Sequence, residues 1–158
     1  NAFLKAAQIA KQSNTKIILS LSDSFCVDRH RKSFLKLIDE YVDIVFCNES
    51  EILSLFKKDQ LASCQGELAS LCELAVVTLG SNGSLIINKS DIEVIMSINK
   101  GKVIDTTGAG DIYAGGFIHG LINNYSLKKC GEIGSICAGH IITQLGSRSN
   151  IDLRELIR

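Results

Sequence analysis

The sequence predicts an α/β fold whose sheet is mostly parallel and covered by helices on both faces. Two observations lead there. Short, near-continuous apolar runs recur as KIILSL at 16–21, DIVFC at 43–47 and AVVTL at 75–79, each of strand length. Segments with helical spacing separate them, and strands buried on both faces read in this unbroken way. Taken in order, residues 2–12 (AFLKAAQIAKQ) have helical spacing and precede the first run. DRHRKSFLKLIDEY at 28–41 places Phe34, Leu35, Ile38 and Tyr41 on one helical stripe. After DIVFC, NESEILSLF begins a helix with acids in its first turn, and a further helical segment near 60–73 leads to AVVTL. The rhythm then changes. GSNG at 80–83 is a turn between apolar runs, and SLIIN followed by IEVIM suggests antiparallel additions. KVID at 102–105 leads to a helix over about 109–123, a second long helix spans about 127–145, and a short amphipathic tail covers 151–158. There is no proline, internal repeat or linker, so the expectation is one α/β domain over residues 1–158.

Composition narrows the function classes. The chain has 158 residues, 46% of them hydrophobic and 22% charged, and a chain of this length buries roughly 70% of its unfolded surface. Seventeen Lys and Arg balance seventeen Asp and Glu. No basic cluster or aromatic ladder suggests a nucleic-acid track, and no apolar run or leader pattern suggests a membrane. Six cysteines stand at 26, 47, 64, 72, 130 and 137 without a C-x-x-C among them. Cys130 and Cys137 share one helical face. Reduced, buried thiols in a cytoplasmic protein are the expectation, rather than zinc or disulfides. His30, His119 and His140 are isolated from one another and from any ligand set.

The chemistry concentrates in VIDTTGAGDIYAGGF at 103–117. A helix N-terminus carries unsatisfied N–H groups and a partial positive charge, and an acid there stabilises the first turn. Asp111 therefore has a plain reading as a helix-end residue. The glycines add something else: they strip side chains from a place where N–H groups point outward, which suits an anion. Two common nucleotide signatures do not account for it. Gly108 and Gly110 are followed by Tyr113 rather than the third glycine of G-x-G-x-x-G, and no G-K-S/T is present.

Asp105-Thr106-Thr107-Gly108-Ala109-Gly110-Asp111 resembles, at every position, the D-T-x-G-A-G-D signature of the PfkB (ribokinase-like) carbohydrate and nucleoside kinases. The resemblance implies a ribokinase-like α/β fold and an ATP- and magnesium-dependent phosphotransfer to an alcohol. It also implies Asp111 as general base and the Gly108-Ala109-Gly110 backbone as anion hole for the transferred group. Thr78-Leu79-Gly80-Ser81-Asn82-Gly83 resembles the family's T-x-G-x-x-G turn along the nucleotide, carrying Thr78, Gly80 and Gly83 into cofactor binding; alone it is equally an ordinary hairpin turn. Asn48-Glu49-Ser50-Glu51 resembles the family's N-x-x-E, in which Asn48 and Glu51 would organise magnesium and its waters near the phosphates. Alone it is a good helix start with Asn48 as cap. The three motifs occur in the family's order. The helix CGEIGSICAGHIITQLGSRS resembles the segment lining the adenine pocket around Ala138 and Ile142, although apolar helix faces are usually core. In several relatives a monovalent cation (K+) sits beside the D-T-x-G-A-G-D loop, which makes Asp105 and Thr107 its candidates.

LSLSDSFCVDRHRKSFLKLIDEYVDIVFCNESE is similar to the middle of the adenosine kinase-like branch, with Ser24 where that branch has a proline. Nothing in the chain resembles the family's first glycine-rich signature or its sugar-binding lid. The chain is thus expected to be the C-terminal, nucleotide-binding half of such a kinase, inactive alone. The implied acceptor is a nucleoside, most like adenosine. A ribokinase- or fructokinase-type sugar kinase is the alternative, and a non-catalytic nucleotide-binding module is a third, which an intact Asp111 disfavours. A homodimer of the full-length protein is a further expectation.

Overall fold

Five strands form one sheet in the order β1 (Ile18–Ser20), β2 (Ile44–Asn48), β3 (Leu74–Thr78), β4 (Ser84–Asn88) and β5 (Ile92–Ile95) in the computed structural model, which describes residues 2–99 and 101–157. Asn1, Lys100 and Arg158, the last of these in the expected amphipathic tail, lie outside the described residues. β1, β2 and β3 pair in parallel, with Ile18 opposite Ile44 and Ile44 opposite Leu74. The links from β3 to β4 and from β4 to β5 are far too short for a parallel crossover, so the sheet is mixed. Successive strand residues point to opposite faces. Leu74, Ala75, Val76 and Val77 are nevertheless all buried, so both faces of β3 are covered, as its unbroken apolar run requires.

The helices are α1 (Ala2–Gln12), α2 (Ser24–Tyr41), α3 (Glu49–Phe56), α4 (Gln65–Leu71), α5 (Ala109–Ile122) and α6 (Leu127–Ile141). Helix α2 begins four residues before the expected 28–41, because the Asp23 side chain accepts the Cys26 N–H at 2.7 Å and caps it. A cap of this kind contributes about 1 kcal/mol. On the expected stripe only Ile38 is fully buried; Leu37 joins it, while Phe34, Leu35 and Tyr41 are half-buried. The helical segment expected near 60–73 divides into a 3-10 turn at Leu61–Ser63 and the short α4. Helix α6 stops at Ile141 rather than near 145, and the tail holds a 3-10 turn at Leu153–Leu156.

The chain forms two compact units: Asn1–Thr78 with Ile87–Ile92, and Leu79–Ile86 with Glu93–Arg158. In the first, Val27, Val45, Ile52, Leu55, Leu68 and Val76 make the core. In the second, α5 and α6 meet along glycines. A Cβ on Gly116 would come within 3.1 Å of the Gly134 Cα, and one on Gly120 within 2.8 Å of the Cys130 Sγ. Cys130 and Cys137 do share the face that meets α5, as their spacing predicts. All six cysteines are free; five are buried, whereas Cys26, in the first turn of α2, is half-buried.

Candidate active site

Asn48 ends β2 and caps α3, so the strand's last residue is also the helix's first hydrogen-bond acceptor. Its Oδ1 accepts the Glu51 N–H at 2.9 Å, and Glu51 Oε2 accepts the Asn48 N–H at 2.9 Å, a reciprocal capping box. The Asn48 side-chain amide also donates to Glu51 Oε1 at 2.7 Å. Glu51 is 5% exposed. Burial pushes its carboxyl above the usual carboxylate range, the Asn48 N–H opposes that, and the nearby Asp23 charge adds to it. A carboxylate offers about four lone-pair sites, and Asn48 occupies two. A buried acid with spare acceptor capacity can accept hydrogen bonds from the waters of a hydrated divalent cation.

Thr78 is the register partner of Asn48 across the parallel β2–β3 pair, and its hydroxyl donates to the Cys47 carbonyl at 3.3 Å. Two of the motifs expected from the sequence therefore end adjacent parallel strands at their C-terminal ends, where α/β sheets collect ligands.

The glycine turn that follows contains two different glycines. The Leu79 N–H donates to the Gly83 carbonyl at 2.8 Å and closes a 3-10 turn over Gly80–Asn82. Gly83 (φ 89°) is buried, and a Cβ there would run into the Ile95 carbonyl oxygen. Gly80 (φ 58°) is exposed with nothing within 4 Å of a Cβ position. Gly83 thus shapes the turn, and Gly80 is the residue over which a ligand can come close to the backbone.

The loop at 105–111 is held from behind. Asp105 accepts the Thr107 N–H on Oδ1 and the Gly146 N–H on Oδ2, both at 2.9 Å. The Thr107 hydroxyl, then the N–H groups of Thr107 and Gly146, keep its carboxyl below the usual range. Gly108 adopts φ 77° and sits against Ser147, whose Cβ would lie 2.5 Å from a Cβ on residue 108. Ile142, at the end of α6, accepts the Ile104 N–H at 2.8 Å and the Asp105 N–H at 3.3 Å through its carbonyl. Its half-buried side chain stands one turn after Ala138, also half-buried. The roles of Gly146 and Ser147 were not legible in the sequence; the only local signal was a glycine after a helix.

Helix α5 opens without a side-chain cap, since Gly108 occupies that position. Helices α2, α3 and α6 are capped by Asp23, Asn48 and Ser126. The Ala109 N–H turns back to the Thr106 carbonyl, and the Ile112 N–H makes the first helical bond, to Gly108. The N–H groups of Gly110 and Asp111 between them are the orphan donors of the helix end. Gly110 has open space at its Cβ position, and Asp111 is exposed at the third helical position rather than at the cap. Free N–H groups at a positive helix end, beside an accessible carboxylate, can hold an anion and accept a proton next to it.

A profile described as pfkB family carbohydrate kinase matches residues 1–154. The chain belongs to this family. It is 32% identical over 153 residues to a nucleoside kinase of Methanocaldococcus jannaschii, covering 94% of this chain and 47% of that protein. A solved nucleoside kinase of that organism, described as an archaeal member of the ribokinase family, superimposes with a TM-score of 0.77 at 26% identity, over 90% of this chain and 48% of the other. A probable sugar kinase from Rhizobium etli and an adenosine kinase from Sinorhizobium meliloti each superimpose with a TM-score of 0.94, at 41% and 39% identity. Both alignments cover 98% of this chain and 47% of the other. The fold is therefore ribokinase-like, and this pfkB-family chain spans about half the length of the curated relatives it matches. No helix among the described residues is long and apolar enough to cross a membrane.

Proposed function

We propose that the full-length protein transfers the terminal phosphoryl group of ATP to a hydroxyl of a small molecule, with a nucleoside such as adenosine as acceptor. The observation that carries this reading is the uncapped N-terminus of α5. There the N–H groups of Gly110 and Asp111 are unused by the helix, and the Asp111 carboxylate is accessible beside them. Phosphoryl transfer asks mainly for placement and for stabilisation of charge on the equatorial oxygens. In this reading the Gly108-Ala109-Gly110 backbone receives those oxygens. Asp111 accepts the acceptor hydroxyl's proton as the oxygen attacks phosphorus, and ADP leaves with the bridging oxygen. Gly80 lets the nucleotide approach the turn after β3, with Thr78 and Gly83 holding that turn and Ala138 and Ile142 lining the base site. Asn48 and Glu51 orient a hydrated magnesium ion, which when bound neutralises phosphate charge. Asp105 and Thr107 are the candidates for a monovalent cation such as K+. Six free thiols suit a reducing compartment such as the cytoplasm, and a homodimer belongs to the same proposal.

A sugar as acceptor is the second reading, favoured by the similarity to the probable sugar kinase of Rhizobium etli. Adenosine, ribose and fructose offered to the full-length protein with ATP and magnesium separate the two. Adenosine is expected to give the highest kcat/KM. A clear preference for a free sugar reverses the choice of acceptor, and phosphorylation of none of these or related alcohols defeats the kinase reading.

A further inference from the structure

A buried hydrogen bond joins Ser84 to Tyr113, and packing alone gives no reason for it. Tyr113 is 4% exposed and Ser84 fully buried, with the two hydroxyl oxygens 2.7 Å apart. Ser84 directly follows Gly83, and Tyr113 stands two residues after Asp111 in α5. Two helical residues turn by about 200°, so the Tyr113 ring points inward where Asp111 faces solvent. The ring is clamped. A Cβ on Gly134 of α6 would come within 3.1 Å of its Cε1 and Cζ, and the Phe117 ring stacks one turn on at 6.4 Å between centroids. Burial pushes the phenol up to about 12, so it stays neutral. At the other end of the bond, Gly83 is pinned by the Ile95 carbonyl and by the Leu79 N–H.

A phenylalanine opposite an alanine would fill nearly the same volume and need no partner. A hydroxyl pair adds direction, and leaving either partner alone in the core is costly. We propose that Ser84 and Tyr113 are a positioning pair, whose hydrogen bond locks the first turn of α5, and with it the aim of Asp111 and the Gly110 N–H, to the glycine turn at 80–83. Apolar contact has no preferred direction, whereas a bond between two hydroxyls does, and this one holds α5 just after its first turn. The pair touches no reacting atom. Its effect on turnover rests on the phosphotransfer reading above, whereas the link itself is independent of it.

The test uses the full-length protein as wild type, Tyr113→Phe, Ser84→Ala and the double variant, assayed well below their melting temperatures. Each single variant is expected to lower kcat about tenfold, and the double variant to fall no further, because partners in one interaction are not additive. Amide hydrogen exchange is expected to quicken at both ends of the link, at residues 80–84 and 109–112, in Tyr113→Phe. Wild-type kcat in the folded variants overturns the positioning role, as do single losses that multiply in the double variant. Unchanged exchange at residues 80–84 overturns the link. A wild type without phosphotransferase activity defeats the proposed function instead, and the exchange data still decide whether the link exists.

Discussion

Asp111→Asn is expected to leave the full-length protein folded and able to bind ATP, while lowering kcat by roughly 10²–10⁴-fold, the usual worth of a positioned base. The structure makes this substitution clean. Asp111 is exposed at the third position of α5, Gly108 holds the cap position, and among the described residues its carboxylate accepts no hydrogen bond. Asparagine keeps the shape and the backbone N–H groups, and removes only the charge and the basicity. The lost attraction to the helix dipole is about 0.3–1 kcal/mol, too little to unfold the protein and small beside the effect on turnover. Melting temperature, ATP affinity and kcat measured on the one variant separate the roles. A variant that turns over like wild type would falsify the assignment of Asp111 as base.

Glu51→Gln is expected to spare stability and to impair function. The Glu51 carboxyl is raised above its ordinary range, chiefly by burial. A group whose folded pKa exceeds its unfolded pKa contributes stability fully at pH below the unfolded value and loses it as pH rises through the folded value. Ionising the buried carboxyl therefore costs the folded wild type stability that the protonated form keeps. Glutamine removes that cost and still accepts the Asn48 N–H, since capping boxes use Glu or Gln. It gives up the contact from the Asn48 side-chain amide, worth about 1 kcal/mol. The two nearly cancel, so Tm near neutral pH should not fall, and any advantage of the variant should shrink as the solution is acidified. Function should suffer. If Glu51 orients magnesium waters, the magnesium concentration for half-maximal activity should rise about 10–100-fold, the usual effect of losing an outer-shell partner. An unchanged magnesium dependence leaves Glu51 as a cap alone.

Much of this arrangement is legible in the sequence, and what is not has a physical reason. The three unbroken apolar runs announce the parallel strands, because burial on both faces leaves no alternation. The D-T-T-G-A-G-D stretch announces an uncapped helix start, because its properties are local: glycines, orphan N–H groups and an acid within one turn. The start of α2 is marked by Asp23, a cap signal three residues before Cys26, whereas the apolar stripe begins only at Phe34. What escapes is long-range. Gly80 and Gly83 read alike until the Ile95 carbonyl of β5 pins one of them. Asp105 reads as a loop acid until Gly146, 41 residues on, takes its second oxygen. Tyr113 reads as one more core aromatic until Ser84 meets it from 29 residues away. No window of sequence contains either partner of those pairs together.

The uneven burial of the six cysteines makes the chain its own recorder of opening. Thiolates, not thiols, react with alkylating reagents. Burial both hides Cys47, Cys64, Cys72, Cys130 and Cys137 and raises their thiols, Cys72 to about 11. Cys26 alone is partly accessible in the native state, so a brief exposure to reagent should add a single mass increment. Every later increment then marks a transient local unfolding. Cys47, Cys64 and Cys72 belong to the unit that carries Asn48 and Glu51, and Cys130 and Cys137 to the one that carries Asp111. The order in which the sulfurs are trapped therefore reports which of the two breathes first, and by how much the unit with α5 and α6 differs in lifetime from the unit with β1–β3.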